Sequence, residues 1–219
     1  MVSRLRARLG SEESGFTLVE LLAAMVIFSI FLAILLSSVI GIARATGRAQ
    51  LLAQSSSAVL VVFQGLDRQI RYANAINFPG TGSSGARYVE FRTGADSSSA
   101  GVVTCTQWRF VPSTKLIQSR QWPDVTGAIA SAWGTKISTV VDLGGTNYPF
   151  KMVPAAIGAS AMQQLVLTVS SGTDLVSPGA AISTTFVARN SSIQSPSNSN
   201  TVVAGTSDTP VCLATGNRP

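Results

Sequence analysis

The chain has 219 residues, enough for one domain of ordinary size with an appendage, and its formal net charge is +6. It contains no histidine, which excludes His-dependent catalytic triads and removes the commonest metal ligand of proteins. The lysines and arginines beyond residue 80 are scattered singly along the sequence, so no nucleic-acid partner is expected.

The N-terminal region changes abruptly from polar to apolar at Phe16, after a short polar stretch of fifteen residues. Residues 21–43 carry no charge, and at 1.5 Å per residue they form about 34 Å of helix, enough to cross a bilayer core of about 30 Å. A secretory signal has a shorter apolar region, of about 7 to 15 residues, with its cleavage site after it. The run therefore predicts a membrane-spanning helix, and a plain signal anchor is the simplest interpretation.

Glu20 lies about one turn inside this apolar segment, where a carboxylate is costly. Together with Thr17 it matches a Thr-x-x-Glu capping box ahead of an apolar run. Alternatively, its carboxylate receives a cationic partner from another chain. The spacing alone leaves both interpretations open.

The same region reads GFTLVELLAAMVIFSIFLAILL, and it resembles the N-terminus of type IV pilins and type II secretion pseudopilins. In that family a prepilin peptidase cuts after the glycine, on the cytoplasmic face, and methylates the new N-terminal aromatic residue. The resemblance implies that residues 1–15 are a leader cleaved after Gly15 and that Phe16 is N-methylated. It also implies that Glu20 pairs with the Phe16 ammonium of a neighbouring subunit during assembly.

The helical pattern continues beyond the membrane span, and no proline interrupts it before Pro79. Apolar residues recur at steps of three and four: Val59, Val62, Phe63, Leu66, Ile70 and Ala73. The pattern predicts one long helix with a transmembrane half at 16–43 and an amphipathic half at 44–76. Asn77, Pro79 and Gly80 are expected to end it.

Residues 77–189 contain short runs of β-branched and aromatic residues between clusters of Gly, Ser and Pro, which is typical of an antiparallel β domain. Strands are predicted near 88–92, 102–111, 115–121, 136–143, 164–170 and 182–189, with a hairpin turn at Pro112 and Ser113. The predicted fold class is α+β and pilin-like, with the long helix packed on an antiparallel sheet. The tail, residues 190–219, is rich in Ser and Asn and is expected to be mobile except where Cys212 ties it down.

Two cysteines, Cys105 and Cys212, are too few for a zinc site in a chain without histidine. In an exported domain they are expected to form one disulfide, and the alternative is two unrelated buried thiols. No catalytic residue, cofactor or metal is expected. Four carboxylates lack the spacing of a calcium site or an acid/base pair and are expected to be solvated: Glu90, Asp96, Asp124 and Asp142.

The order of segments in the chain indicates which subgroup of the family it resembles. The helix ends in LDRQIRYANAI, and then come YVEFR, a hairpin of CTQWRF and LIQSRQW, and a closing TTFVARN, which is similar to the J-type and W-type minor pilins. This implies a structural subunit, not an enzyme, that initiates or caps a type IV pilus or a type II secretion pseudopilus. A major pilin and a membrane-tethered adhesin are the alternatives.

The resemblance also implies partners and a location. The expected partners are other pilin or pseudopilin subunits, the prepilin peptidase and methylase, the inner-membrane assembly platform and the lipid bilayer. The expected location is the cell membrane, crossed once, with the C-terminal domain outside the cytoplasm and the assembled filament at the cell surface.

Overall fold

The computed structural model describes residues 17–145, 148–174, 177–212 and 218. It contains one long helix followed by two antiparallel sheets, so the predicted α+β class is confirmed. The chain divides into two compact units, residues 1–50 and residues 51–219.

Helix α1 spans Leu18–Arg71, and residues 18–47 are the part of the described chain that is long and apolar enough to cross a membrane. The mean hydropathy there is 2.8 and none of the most apolar window is buried. Large side chains such as Phe28 stand more than half exposed. Such a surface is stable in hydrocarbon and not in water, which supports membrane anchoring.

Three serine side chains of this apolar segment are satisfied inside the helix. The hydroxyl of Ser29 donates to the Met25 carbonyl at 2.7 Å, and those of Ser37 and Ser38 donate to the Ile34 carbonyl at 2.8 and 2.9 Å. A polar group in hydrocarbon needs a partner within the protein, and these serines find one in the preceding turn.

In the second unit, the helix contributes Val62, Phe63, Leu66 and Ile70 to a hydrophobic core, as the three- and four-residue spacing predicts. Val59 also belongs to the predicted stripe, but its side chain lies outside the described residues.

The helix ends five residues earlier than predicted. It stops at Arg71, and strand β1 occupies Ala73–Ile76. Ala73, Ala75 and Ile76 are fully buried where β1 pairs with a later strand, and this tertiary pairing overrides the local pattern. Over four residues, apolar positions alone do not distinguish a strand from a last helical turn.

The larger sheet has six strands. After β1 come β2 Gly80–Thr81, β3 Arg87–Thr93, β4 Thr104–Val111, β5 Leu116–Pro123 and β6 Gly134–Ile137. The strand order is β1-β3-β4-β5-β6, with β2 paired to β3, and every pairing is antiparallel. The smaller sheet has the order β7-β8-β9, with β7 at Phe150–Val153, β8 at Gln164–Asp174 and β9 at Ser177–Val187.

The hairpin predicted around Pro112 and Ser113 is confirmed, and Phe110 lies opposite Ile117 in the β4–β5 register. The strand predicted at 136–143 is wrong beyond Ile137. β6 stops at Ile137 because the backbone turns at Thr139, whose φ is 61°, in the left-handed region. β1, β2 and β7 were not predicted, since they have four residues or fewer and little pattern to detect.

The two faces of β3, β4 and β5 have different surroundings because successive side chains alternate across a strand. One face joins the helix and the smaller sheet in the main core, with Phe91, Trp108 and Phe110 among its buried residues. We name the opposite face the outer face. It consists of Tyr88, Glu90, Arg92, Cys105, Gln107, Arg109, Gln118, Arg120 and Trp122.

The described part of the tail is hydrogen-bonded to the domain, contrary to the expected mobility. β1 is the edge strand of the larger sheet. The hydroxyls of Ser195 and Ser197 donate to the carbonyls of Asn74 and Ile76, both at 2.7 Å. Composition predicted mobility because the tail has few apolar residues, but its small hydroxyls satisfy the backbone of an edge strand instead.

Candidate functional site

The start of helix α1 is the first candidate site. The predicted processing residues Gly15 and Phe16 lie outside the described residues. Thr17 Oγ1 accepts the backbone N–H of Glu20 at 3.3 Å, and the Thr17 carbonyl accepts that of Leu21 at 3.2 Å. Thr17 is therefore the N-cap of the helix and Glu20 is its third residue.

Only half of the predicted capping box is formed. Within the described residues, no bond runs back from the Thr17 N–H to the Glu20 carboxylate, and no cation pairs with that carboxylate. Glu20 is exposed and lies among the equally exposed Leu18, Val19 and Leu21. The carboxylate thus stays available at the positive end of the helix dipole, in a segment apolar enough to enter a membrane.

Cys105 and Cys212 form the second candidate site. Their sulfur atoms are 2.00 Å apart and their Cα atoms 5.6 Å apart, so the expected disulfide is present. It is buried in a small cluster of its own with Ala75, Trp122 and Val211, on the outer face. Asp124 lies near both sulfurs. Sulfurs joined in a disulfide are not thiolates, so this group is not a metal site.

Glu90 is the residue that sequence reasoning missed. It was expected to be solvated, yet it is 2% exposed in the middle of β3. Arg218 binds it through two parallel bonds, from Nε to Oε1 at 2.9 Å and from Nη2 to Oε2 at 2.6 Å. Asn77 Nδ2 and Gln107 Nε2 add bonds at 3.1 and 2.9 Å. All of these donors converge on one buried carboxylate. A buried carboxylate stays charged only when hydrogen-bond donors and a cation satisfy it.

The space for Arg218 depends on Gly80. A Cβ atom on Gly80 would lie 2.1 Å from Arg218 Nη1, so the glycine permits the close approach of the guanidinium. Burial lowers the pKa of Arg218, but its hydrogen bond to Glu90 and the charge of Glu90 outweigh that effect and leave the pKa raised. The only sequence signal for this site was a glutamate between apolar residues of a strand, and its partner lies 128 positions away.

A second ion pair also replaces an expected solvated charge. Arg87 on β3 donates to both oxygens of Asp142, at 2.7 and 3.0 Å, and to the Tyr148 carbonyl at 3.1 Å. This pair joins the larger sheet to the segment that follows β6.

Comparison with known proteins adds one finding. Residues 11–36 match the family described as the prokaryotic N-terminal methylation motif. No curated protein and no solved structure matches the chain. The match includes Gly15, Phe16 and Glu20 and supports a type IV pilin-like protein, a structural subunit that meets a prepilin peptidase and other pilin subunits.

Proposed function

We propose that this chain is a minor pilin or pseudopilin, which initiates or caps a type IV pilus or a type II secretion pseudopilus. One observation carries the proposal. The methylation motif at residues 11–36 runs directly into an exposed apolar helix, and that helix is followed by an antiparallel sheet domain.

Maturation is the first step of the proposed function. The peptidase hydrolyses the bond between Gly15 and Phe16 and removes residues 1–15, so that Phe16 carries a new ammonium group, which is then methylated. Glycine suits the cleaved position because it has no side chain to accommodate. The intact mass of the chain extracted from membranes of a host with an active prepilin peptidase tests this step. A mass that includes residues 1–15 would contradict it.

Assembly is the second step. In the membrane, the carboxylate of Glu20 costs up to about 3 kcal/mol, and less toward the interface. A neighbouring subunit supplies the Phe16 ammonium, and each charge neutralises the other once the two helices pack together. Because this gain exists only between subunits, it favours the filament over the single chain in the bilayer.

Membrane topology follows from the same scheme. Residues 16–43 cross the membrane, and the β domain lies outside the cytoplasm. The buried disulfide supports this orientation, since disulfides persist in oxidising compartments and are rare in the cytosol.

The number of copies per filament tests the minor role. Filaments are sheared from cells of the native host, and this chain is quantified by mass spectrometry against the most abundant pilin. We expect trace amounts, and fewer filaments when the gene is deleted. An abundant chain would make it a major pilin. A chain that is missing from sheared filaments, with filament number unchanged by the deletion, would make it a tethered adhesin.

A further inference from the structure

A cleft of about 710 Å³ lies in the second unit, lined by the end of helix α1, the loop between β3 and β4, and strands β3 to β5. Its volume is usual for a ligand site, since such sites range from about 300 to 1,000 Å³. Most ligand sites are apolar, whereas seven of the twelve described residues that line this one carry a hydroxyl group. We name it the polar cleft, and its chemistry depends on Arg68, Tyr72, Asp96, Thr104, Thr106 and Gln121.

The floor of the polar cleft continues the core face of the larger sheet. Phe91 and Trp108 are buried on that face, and Thr93 and Thr106 follow on the same face, two residues further along β3 and β4. Gln121 on β5 lies opposite Thr106, and its Nε2 donates to the Thr106 hydroxyl at 3.1 Å. The face therefore changes from apolar to hydroxyl-bearing residues where the core ends and the cleft begins.

Hydrogen bonds hold the walls of the polar cleft in place. Asn190 Nδ2 donates to the Tyr72 carbonyl at 3.3 Å and to the Ser97 hydroxyl at 3.1 Å, which ties the helix end to the β3–β4 loop. The hydroxyls of Ser98 and Thr104 are hydrogen-bonded at 2.8 Å, which ties the same loop to the floor. The cleft is thus formed in the free protein, so little conformational entropy is lost when a ligand binds.

The charges of the lining balance each other. Arg68 and Asp96 are its charged residues, both are exposed, and neither forms an ion pair with another residue that the structure describes. An anionic ligand such as a nucleic acid is bound by several cations at once, and here one cation stands against one carboxylate. The balance therefore favours a neutral ligand with many hydrogen-bonding groups.

We propose that the polar cleft binds a neutral sugar of a glycan. Every sugar hydroxyl both donates and accepts hydrogen bonds, which matches an arginine that only donates, a carboxylate that only accepts, and the hydroxyls and amides that do both. Tyr72 is 45% exposed, and its ring offers an apolar surface to the C–H face of a sugar ring. This binding belongs to the single subunit, so its test is independent of maturation and assembly.

The test uses the full chain in a polyoxyethylene detergent, because a detergent with a sugar headgroup would compete for the cleft. The probes are neutral oligosaccharides of glucose, galactose, mannose and N-acetylglucosamine, with oligogalacturonate as the acidic counterpart. Saturation-transfer NMR detects binding, and titration gives the dissociation constant. We expect at least one neutral oligosaccharide to bind, and the double variant Arg68→Ala with Tyr72→Ala to bind it at least about tenfold more weakly, since a charged hydrogen bond and a ring contact are lost.

A matched control removes one exposed cation and one exposed large side chain outside the cleft, with Lys151→Ala and Ile157→Ala together. This control should bind the oligosaccharide like the unaltered chain. Asp96→Ala alters only the β3–β4 loop and should also weaken binding, since it removes the carboxylate acceptor. It provides the test if the double variant at the helix end does not fold.

The sugar that binds identifies the source of the glycan. Binding of the N-acetylglucosamine oligomer supports an N-acetylated glycan strand as the ligand, and binding of one of the hexose oligomers supports a neutral polysaccharide. The proposal is overturned if no neutral oligosaccharide binds, or if the cleft variants bind as tightly as the control. It is also overturned if oligogalacturonate binds more tightly than every neutral probe, because attraction to the cation of Arg68 would then explain the binding.

Discussion

Glu20 and Glu90 are two glutamates with opposite surroundings. Glu20 is exposed at the start of an apolar helix, with no cation beside it among the described residues. Glu90 is buried and receives bonds from three side chains, one of them the guanidinium of Arg218. Glu90 is thus satisfied within the domain, whereas Glu20 is left for the cation that the proposed assembly would supply.

Replacement of Glu20 by alanine should leave membrane insertion intact while it impairs incorporation into filaments. Removing the carboxylate relieves a cost of up to about 3 kcal/mol in the single chain. It also leaves the neighbour's ammonium unpaired in the polymer. Membrane fractionation and quantification of the chain in sheared filaments measure the two effects separately.

The control for Glu20→Ala is Thr17→Ala. The N-cap bond uses the Thr17 hydroxyl and the Glu20 backbone N–H, so Glu20→Ala keeps the cap and Thr17→Ala removes it, at a cost of about 1 kcal/mol in helix stability. If Glu20→Ala acted mainly on insertion, as a cap variant would, the assembly role of Glu20 would be wrong.

Replacement of Arg218 by alanine should destabilise the second unit by about 2 to 4 kcal/mol, because it leaves the buried Glu90 carboxylate without its cation. Adding Glu90→Gln should recover part of this loss.

Gly80→Ala should also destabilise the second unit, since its Cβ would displace the guanidinium of Arg218. This effect should vanish once Arg218 is alanine. Urea unfolding followed by tryptophan fluorescence measures all four variants. Additive losses from Gly80→Ala and Arg218→Ala would contradict the proposed contact.

At the scale of the elements, the pair of Arg87 and Asp142 joins β3 to the segment after β6. The hydrogen bond from Arg87 is the largest cause that lowers the pKa of Asp142. Burial opposes it, and the Gly144 N–H and the charge of Arg87 lower the pKa further, so that it lies below its usual value. A depressed folded-state pKa gives stability that is present above the unfolded value of about 3.9 and is lost as pH falls through the folded value.

Asp142→Asn should therefore destabilise the domain at pH 6 by about 1 kcal/mol, a modest value because both side chains are partly exposed. The difference from the unaltered chain should shrink as the pH falls below about 4. Urea unfolding at pH 6 and pH 3 measures it, with Asp96→Asn, an exposed carboxylate, as control. A difference that stays constant with pH would exclude the ion pair as its source.

The disulfide joins β4 to the tail across 107 positions of sequence. In the chain-entropy model, a loop of this length stabilises the folded state by about 4 to 5 kcal/mol. The unreduced protein from cells, once denatured, should react with no thiol reagent, and reduction should lower its unfolding midpoint. Two reactive thiols per chain would show that the bridge does not form in cells.

Across the whole molecule, the features predicted from sequence are local ones. The apolar run before Ala43, the stripe from Val62 to Ile70 and the turn at Pro112 are each encoded within a few turns or strand residues. These patterns sufficed for the α+β class and for the helix that supports membrane anchoring.

The features that were missed depend on pairing over long distances. The bond from Arg218 to Glu90 and the stack of Arg109 on Trp133 exist only once strands and loops are in register. The position of a single cation in the sequence does not reveal either contact. For the same reason β1 was assigned to the helix, because its partner strand and the tail that binds it come later in the chain.

The hydrogen bonds on β1 have a consequence for aggregation. An open edge strand presents unpaired N–H and C=O groups to which a strand of another molecule can add. On β1 three of these groups are occupied, because Ser195 and Ser197 donate to the carbonyls of Asn74 and Ile76, and Gln163 accepts the Ile76 N–H at 2.8 Å. Copies crowded on one membrane are thereby protected from strand addition at this edge.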